Sequence, residues 1–124
     1  MTHKDETTTI WELKQMLQSF RDAREWKQFH TPKNLTQAIS IEANELMQEF
    51  LWKTDEEIAE LLKDDKFRQK VSYELADVMA FCLNFANRVE IDLSQAMSDK
   101  MKENEKKYPV EKAKGTAAKY NELY

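Results

Sequence analysis

Two pairs of carboxylates differ from the other acidic residues of this chain in their surroundings. In each pair the acids are three residues apart, and the pairs are Glu42 with Glu45 and Glu74 with Asp77. Acids at this spacing are about as frequent here as chance predicts, so the spacing alone carries no information. The second pair, however, holds the only charges between residues 71 and 86, and no Lys or Arg occurs between residues 35 and 52. We therefore expect both pairs on helices that are largely buried.

Buried carboxylates a few ångströms apart repel one another and raise each other's pKa, and a bound cation relieves the repulsion. Oxygen ligands of this kind favour Mg²⁺. Zinc would require Cys or His, of which the chain has only Cys82, His3 and His30. The same shortage argues against Cys–His or Ser–His–Asp catalysis, and the Glu-x-x-His motif of di-iron bundles is absent. A structural alternative stays open, in which the four acids bond to backbone groups or lysines.

Apolar residues recur at helical intervals almost throughout the chain, so helices must be the elements that position these acids. Thr9 and Glu12 have the spacing of a capping box, and apolar residues follow at helical intervals. Pro32 interrupts the pattern, and Thr31 or Asn34 can cap a second helix. Helices are predicted at about 9–26, 35–51, 54–62, 67–89 and 92–107. Strand-like alternation is missing, so the predicted fold is all-α, a bundle of four to five helices.

Composition limits the class of protein. The chain has 124 residues and a formal net charge of −4, which fits one domain and argues against a nucleic-acid polymer as partner. A single Gly excludes the glycine-rich phosphate loops of P-loop and Rossmann proteins. The longest uncharged stretch, 78–87, is too short for a membrane span. The lone Cys82 and the absence of an apolar leader predict a cytoplasmic location. Residues 100–119 are locally basic, which fits a solvated helix face or a site for a small polyphosphate.

Several motifs together resemble one family. Glu42-x-x-Glu45, then 28 residues, then Glu74-x-x-Asp77 matches the E-x-x-E…E-x-x-D signature of the MazG-like all-α nucleoside triphosphate pyrophosphohydrolases. The segments EWKQFH, FLWKTD and KKYP occur in the order typical of the dCTP pyrophosphatase branch. The resemblance covers about residues 20–124. It implies a MazG-like helical catalytic domain at 9–109, with a disordered N-terminus expected at 1–8 and a C-terminal tail at 110–124.

The resemblance also implies a reaction. The four acids Glu42, Glu45, Glu74 and Asp77 would be the catalytic and metal-binding residues, and their Mg²⁺ would help a water molecule attack the α-phosphorus. The products would be a nucleoside monophosphate and pyrophosphate. The substrate would be a deoxynucleoside triphosphate, dCTP-like, with dATP and modified dCTP as further candidates, in a house-cleaning role. Glu49 lies outside the signature, and a helix-pairing or solvated role is expected for it.

The family's substrate-binding residues also have counterparts here. The base and sugar would contact Trp26, Gln28, Phe29, His30, Trp52 and Phe81. The β- and γ-phosphates would contact residues on one face of the last long helix, which are Lys100, Asn104, Lys107 and the adjacent Tyr108. Two departures bear on selectivity, because Phe81 stands where vertebrate relatives carry Tyr, and Leu17 stands where they carry a His that touches the nucleotide. The assembly implied is a homodimer or a homotetramer built as a dimer of dimers.

Two rival functions remain open from the sequence. One is a helical oligomerisation or regulatory module that binds a nucleotide without turnover, which the presence of all four acids disfavours. The other is a dUTP/dUDP hydrolase of the all-α kind, which would also cleave a nucleoside diphosphate.

Overall fold

The computed structural model describes residues 2–124. Residue 1, which belongs to the N-terminal segment 1–8 expected to be disordered, lies outside the described residues. The described residues form six α-helices and no strand, and the all-α prediction is confirmed. The helices are α1 (Ile10–Ala23), α2 (Pro32–Gln48), α3 (Asp55–Leu61), α4 (Asp65–Val89), α5 (Leu93–Lys107) and α6 (Val110–Ala113). Two 3-10 turns, Lys27–Phe29 and Tyr120–Glu122, complete the regular structure.

The chain divides into two compact units, one ending at Glu90 and the other comprising Ile91–Tyr124. The first unit holds α1 to α4 and the second holds α5 and α6. In the described part of the chain, no helix is long and apolar enough to cross a membrane.

Side-chain caps fix where the helices begin. Thr9 accepts a hydrogen bond from the Glu12 amide at 3.1 Å, and the Glu12 carboxylate accepts one from the Thr9 amide, which completes the predicted capping box. Thr31 caps α2, with Pro32 in the first turn, where its missing N–H costs nothing. The second helix therefore begins three residues earlier than predicted.

Two residues with left-handed backbone conformations change the direction of the chain, one after α1 and one after α2. Glu25 has a φ of +55° and Trp52 a φ of +64°. The turn at Glu25 is closed by hydrogen bonds from the Trp26 amide to the Arg21 carbonyl and from the Glu25 amide to the Asp22 carbonyl. As a result α1 ends at Ala23, and the Trp26 ring returns to an edge-to-face contact with Phe20 at 5.8 Å.

The core of the first unit centres on α4, which has its most extensive contacts with α2 and also packs against α1. Its fully covered apolar side chains are Leu35 of α2 and Leu83 and Ala86 of α4. The side-chain amide of Asn87, near the end of α4, donates to the Lys14 carbonyl at 3.1 Å, whereas residues near the end of α1 lie beside the middle of α4. The two helices are therefore antiparallel.

An ion pair adds to the contact between α2 and α4. Glu49, whose side chain is only 15% exposed, lies 3.2 Å from the Lys70 ammonium group. Its carbonyl also accepts a hydrogen bond from the Lys53 side chain at 2.9 Å. Of the two roles expected for Glu49, helix pairing and solvation, the structure thus shows helix pairing.

The second unit begins with α5, which Asp92 caps by accepting a hydrogen bond from the Gln95 amide. After α6, Gly115 has a φ of +80°, and two tyrosines, Tyr120 and Tyr124, make an edge-to-face contact at 6.1 Å. The Lys112 ammonium group lies 3.6 Å from the centre of the Tyr124 ring. Contacts between a lysine and aromatic rings thus join residues of the predicted C-terminal tail to one another.

Candidate active site

Three of the four predicted acids converge where α2 and α4 pack together. One carboxylate oxygen from each of Glu42, Glu45 and Glu74 lies within 4.8 Å of the others. The first two are one helical turn apart on α2, and the third projects from α4. The arrangement brings three carboxylate oxygens, the kind of atom that a hard divalent cation prefers as a ligand, within reach of one ion.

Glu42 has the most unusual environment of the three. Its Oε2 atom is buried and accepts no hydrogen bond from residues 2–124. Burial raises the pKa of Glu42, and hydrogen bonding with Glu45 and the negative charges of Glu45, Asp77 and Glu74 raise it further. A buried carboxylate oxygen without a partner is costly, and a bound cation would satisfy the Oε2 atom. The residues present therefore fit a divalent metal ion.

Asp77 lies outside this 4.8 Å group but close enough for its charge to act on Glu42. It lies one turn along α4 from Glu74 and also lines a neighbouring cavity. Asp77 thus connects the carboxylate cluster, defined as Glu42, Glu45 and Glu74, to that cavity.

The cavity has a volume of about 280 Å³ and lies between the end of α1, the turn after it and the middle of α4. Its walls are mainly apolar or aromatic, with four polar side chains among them. The lining residues are Leu17, Phe20, Arg21, Trp26, His30, Asp77, Ala80, Phe81 and Asn84. We call it the α1–α4 cavity. Its volume is slightly below the range of about 300–1,000 Å³ usual for small-molecule pockets, which suits one flat ring system.

The structure brings together some of the predicted base-binding residues and leaves others apart. Trp26, His30 and Phe81 line the α1–α4 cavity, and so does Leu17. Gln28 and Phe29 are exposed, and the Gln28 side chain donates to the Glu25 carbonyl at 3.1 Å. Trp52 is 91% exposed. These three residues do not line the cavity of the single chain.

His30 is held through its backbone, and one nitrogen of its half-buried ring is shielded from solvent. The Arg88 side chain donates to its carbonyl at 3.1 Å, while its Nδ1 atom is buried without a hydrogen-bond partner in the described chain. Burial, and then the nearby charge of Arg21, lowers the pKa of His30. The imidazole is therefore neutral at pH 7.

Two polar residues of the cavity were missed at the sequence level. Arg21 is only 5% exposed and Asn84 only 9%. The available signal was positional, since Arg21 lies four residues after Leu17 in the apolar row of α1, and Asn84 lies within the uncharged stretch 78–87. A polar residue at such a position is expected to be buried and to require a partner.

The predicted phosphate-binding residues all lie in the second unit. Lys100 is exposed on α5, while Asn104 and Lys107 are half-buried on the same helix. The Lys107 ammonium group lies 5.6 Å from the centre of the Tyr120 ring. Tyr108 ends the helix, and its amide donates to the Asn104 carbonyl at 2.8 Å.

The chain is similar to proteins of known activity. The MazG-like family matches residues 37–123, a segment that contains all four predicted acids. The dCTP pyrophosphatase 1 of Mus musculus is 36% identical over 115 residues, which are 93% of this chain and 68% of the mouse protein. The Homo sapiens protein of the same name is 35% identical with the same coverage. A pyrophosphatase from Archaeoglobus fulgidus has a crystal structure with a TM-score of 0.75 and 39% identity, covering 88% of this chain and 98% of that one.

Proposed function

The chain belongs to the MazG-like family, and from that membership we propose that it hydrolyses a dCTP-like deoxynucleoside triphosphate to the monophosphate and pyrophosphate with the help of Mg²⁺. It is a nucleoside triphosphate pyrophosphohydrolase of the dCTP pyrophosphatase type. The physiological role that we propose is the removal of normal or modified deoxynucleotides from the cytoplasmic pool.

The observation that supports this proposal most is the buried, unpartnered Oε2 atom of Glu42 within a cluster of three carboxylates. All the donor atoms are carboxylate oxygens, which are the ligands that Mg²⁺ prefers. Glu42, Glu45 and Glu74 would hold the ion, and Asp77 is the fourth acid of the proposed set. When bound, Mg²⁺ neutralises charge on the phosphates and favours deprotonation of the attacking water.

The other described groups of the first unit orient the substrate. The triphosphate is proposed to lie at the carboxylate cluster, and the base in the α1–α4 cavity, where Trp26 and Phe81 offer flat apolar surfaces. Neutral His30 and the apolar walls exclude water from the base.

The proposed ligands of the β- and γ-phosphates lie on the second unit and remain Lys100, Asn104, Lys107 and Tyr108, with the lysines acting as point charges.

The proposed reaction predicts a specific set of products. Purified protein incubated with each dNTP and with 5-methyl-dCTP in the presence of Mg²⁺ is expected to yield monophosphate and pyrophosphate, with dCTP among the best substrates. Anion-exchange chromatography separates these products from diphosphate and orthophosphate. Diphosphate with orthophosphate would contradict attack at the α-phosphorus. Cleavage of dUDP would favour the dUTP/dUDP hydrolase, and no turnover would favour the non-catalytic module.

We also propose that the protein works as a homodimer or as a tetramer built from dimers. A second groove between α1 and α4, of about 240 Å³, is lined by apolar side chains alone, and two of these, Met16 and Met79, are more than a third exposed. Trp52 is a large aromatic residue that a single chain leaves uncovered. Apolar surface of this kind is typical of a subunit interface, and a second copy that covers Trp52 would bring it to the substrate, as the family resemblance implies.

The groove predicts an effect of charge on assembly. Met79→Glu is expected to shift the protein from dimer or tetramer toward monomer, because it would bury a carboxylate in an apolar interface. Sedimentation velocity at about 10 µM protein measures the change, and Ser19→Glu, at an exposed polar position of α1, is the matched control. A monomeric wild-type protein, or a Met79→Glu variant that assembles normally, would contradict the proposed interface.

A further inference from the structure

The α1–α4 cavity has a polar part that the proposed reaction does not yet use. Most of its wall is apolar, yet Arg21 and Asn84 also line it, and both are at least nine-tenths buried. Buried polar side chains in native proteins are nearly always hydrogen-bonded. The hydrogen-bond partners of these two residues therefore indicate what the cavity is built to bind.

Arg21 is only partly satisfied by the protein. Its Nε atom donates to the Asp22 carboxylate at 2.8 Å, and that carboxylate itself is mostly exposed. The terminal N–H groups of the guanidinium find no acceptor among residues 2–124. Arginine stays charged and carries its donors in a rigid fork. A fork of this kind in a cavity is suited to a ligand with two adjacent acceptors.

Asn84 complements this fork. Its side chain makes no hydrogen bond within the described residues, so its amide oxygen and nitrogen are free to contact a ligand. It lies on the same helix as Asp77, seven residues further on, which corresponds to about 10 Å along the helix axis. Asp77, which connects the cavity to the carboxylate cluster, and Asn84 are thus separated along the helix by about the distance between a phosphate group and the far edge of its base.

We infer that Arg21 and Asn84 are specificity-determining residues that contact the hydrogen-bonding edge of the base, and that the edge they select is that of cytosine. This inference rests on the proposed function. Cytosine presents O2 and N3 as adjacent acceptors for the Arg21 fork, and its exocyclic amine is a donor for the Asn84 oxygen. Uracil and thymine carry a hydrogen on N3, which would face the arginine donors. Purines place their acceptors on a larger ring system than the cavity favours.

The test compares dCTP with dUTP, since the two nucleotides differ only at this edge. Arg21→Met keeps the length of the side chain and removes the fork, and it is expected to lower the kcat/KM ratio of dCTP to dUTP by about 10- to 100-fold. Asn84→Leu is expected to lower the same ratio about tenfold. Arg68→Met, which changes an exposed arginine of α4, is the matched control and is expected to leave the ratio unchanged.

Two further measurements keep this inference separate from the proposed reaction. If wild-type protein hydrolyses no dNTP, the proposed function fails, and isothermal calorimetry with dCMP and dUMP still tests whether Arg21 and Asn84 distinguish the two bases. If Arg21→Met does not fold, Arg21→Lys removes the bidentate geometry but keeps the charge, and it is expected to lower the ratio as well. An equal loss of kcat/KM for dCTP and dUTP in the folded Arg21 variants would overturn the inference and assign Arg21 to the phosphates or to a structural role.

Discussion

Replacing Glu42 with glutamine is expected to abolish hydrolysis without unfolding the protein. The substitution keeps the shape of the side chain and removes the charge that would hold the metal ion beside the phosphates. Charge stabilisation by a bound ion contributes several kcal/mol to such a transition state. A loss of about 4 kcal/mol corresponds to about 10³-fold in kcat, which a pyrophosphate-release assay measures.

The same variant is expected to be at least as stable as the wild type when no metal is present. Because the pKa of Glu42 is raised in the folded state, the folded protein binds more protons than the unfolded chain above the ordinary carboxyl pKa. Wild-type stability in EDTA should therefore fall as the pH rises from the ordinary carboxyl pKa through the raised value. Glu42→Gln should remove that part of the decline, which melting temperatures measured across this pH range can test.

Glu49→Gln is the matched control, since it removes a carboxylate from the end of the same helix. Glu49 is paired with Lys70, so its loss should lower stability modestly and leave turnover intact. If Glu42→Gln remained active, or if it melted well below the wild type at neutral pH, Glu42 would be a structural acid and the proposed metal site would be wrong.

Removal of divalent metal is expected to have an equally large effect on activity. EDTA should stop dCTP hydrolysis completely, and added Mg²⁺ should restore it. Binding should also be visible without substrate, because an ion that binds only the folded state stabilises it by about 2.7 kcal/mol when its free concentration is a hundred times Kd. Differential scanning fluorimetry with and without Mg²⁺ measures this as a rise in Tm.

The Tm measurement separates metal binding at the carboxylate cluster from a general salt effect. Glu49→Gln should respond to Mg²⁺ like the wild type, whereas Glu42→Gln should respond much less. An equal rise in both variants would locate the stabilising ion elsewhere. Full activity in EDTA would rule out the metal-dependent mechanism whatever the Tm values were.

Much of this site could be predicted from the sequence because the relevant signals were local. Capping residues such as Thr9 and Thr31 specify helix starts within one turn of chain. The lack of basic neighbours singled out the two acid pairs and predicted that they would be largely buried, but Glu45 and Asp77 are exposed in the structure. The convergence of Glu42, Glu45 and Glu74 follows once α2 packs on α4. Their positions on the two helices were therefore sufficient only together with the expectation of a helical bundle in which these helices pair.

Other features could not be predicted because they depend on tertiary contacts. Glu25 and Trp52 adopt left-handed backbone conformations, which glycine and asparagine adopt far more often than glutamate or tryptophan. Because neither glycine nor asparagine occurs at position 25, the sequence did not indicate that α1 ends before it. The exposure of Trp52 depends on what surrounds it in space. The burial of Arg21 likewise becomes visible only when α1 lies against α4.

Residues of α4 contribute to the carboxylate cluster, the cavity and the core, and this combination has an evolutionary consequence. Successive turns of this helix supply Glu74 to the carboxylate cluster, Asp77 and Asn84 to the cavity, and Leu83 to the core. A mutation on α4 that alters base preference therefore risks folding or metal binding as well. The half-exposed cavity residue Phe20 of α1 belongs neither to the carboxylate cluster nor to the fully covered core. Divergence toward a new nucleotide should proceed through α1 and the turn after it, while α4 stays under several selective constraints at once.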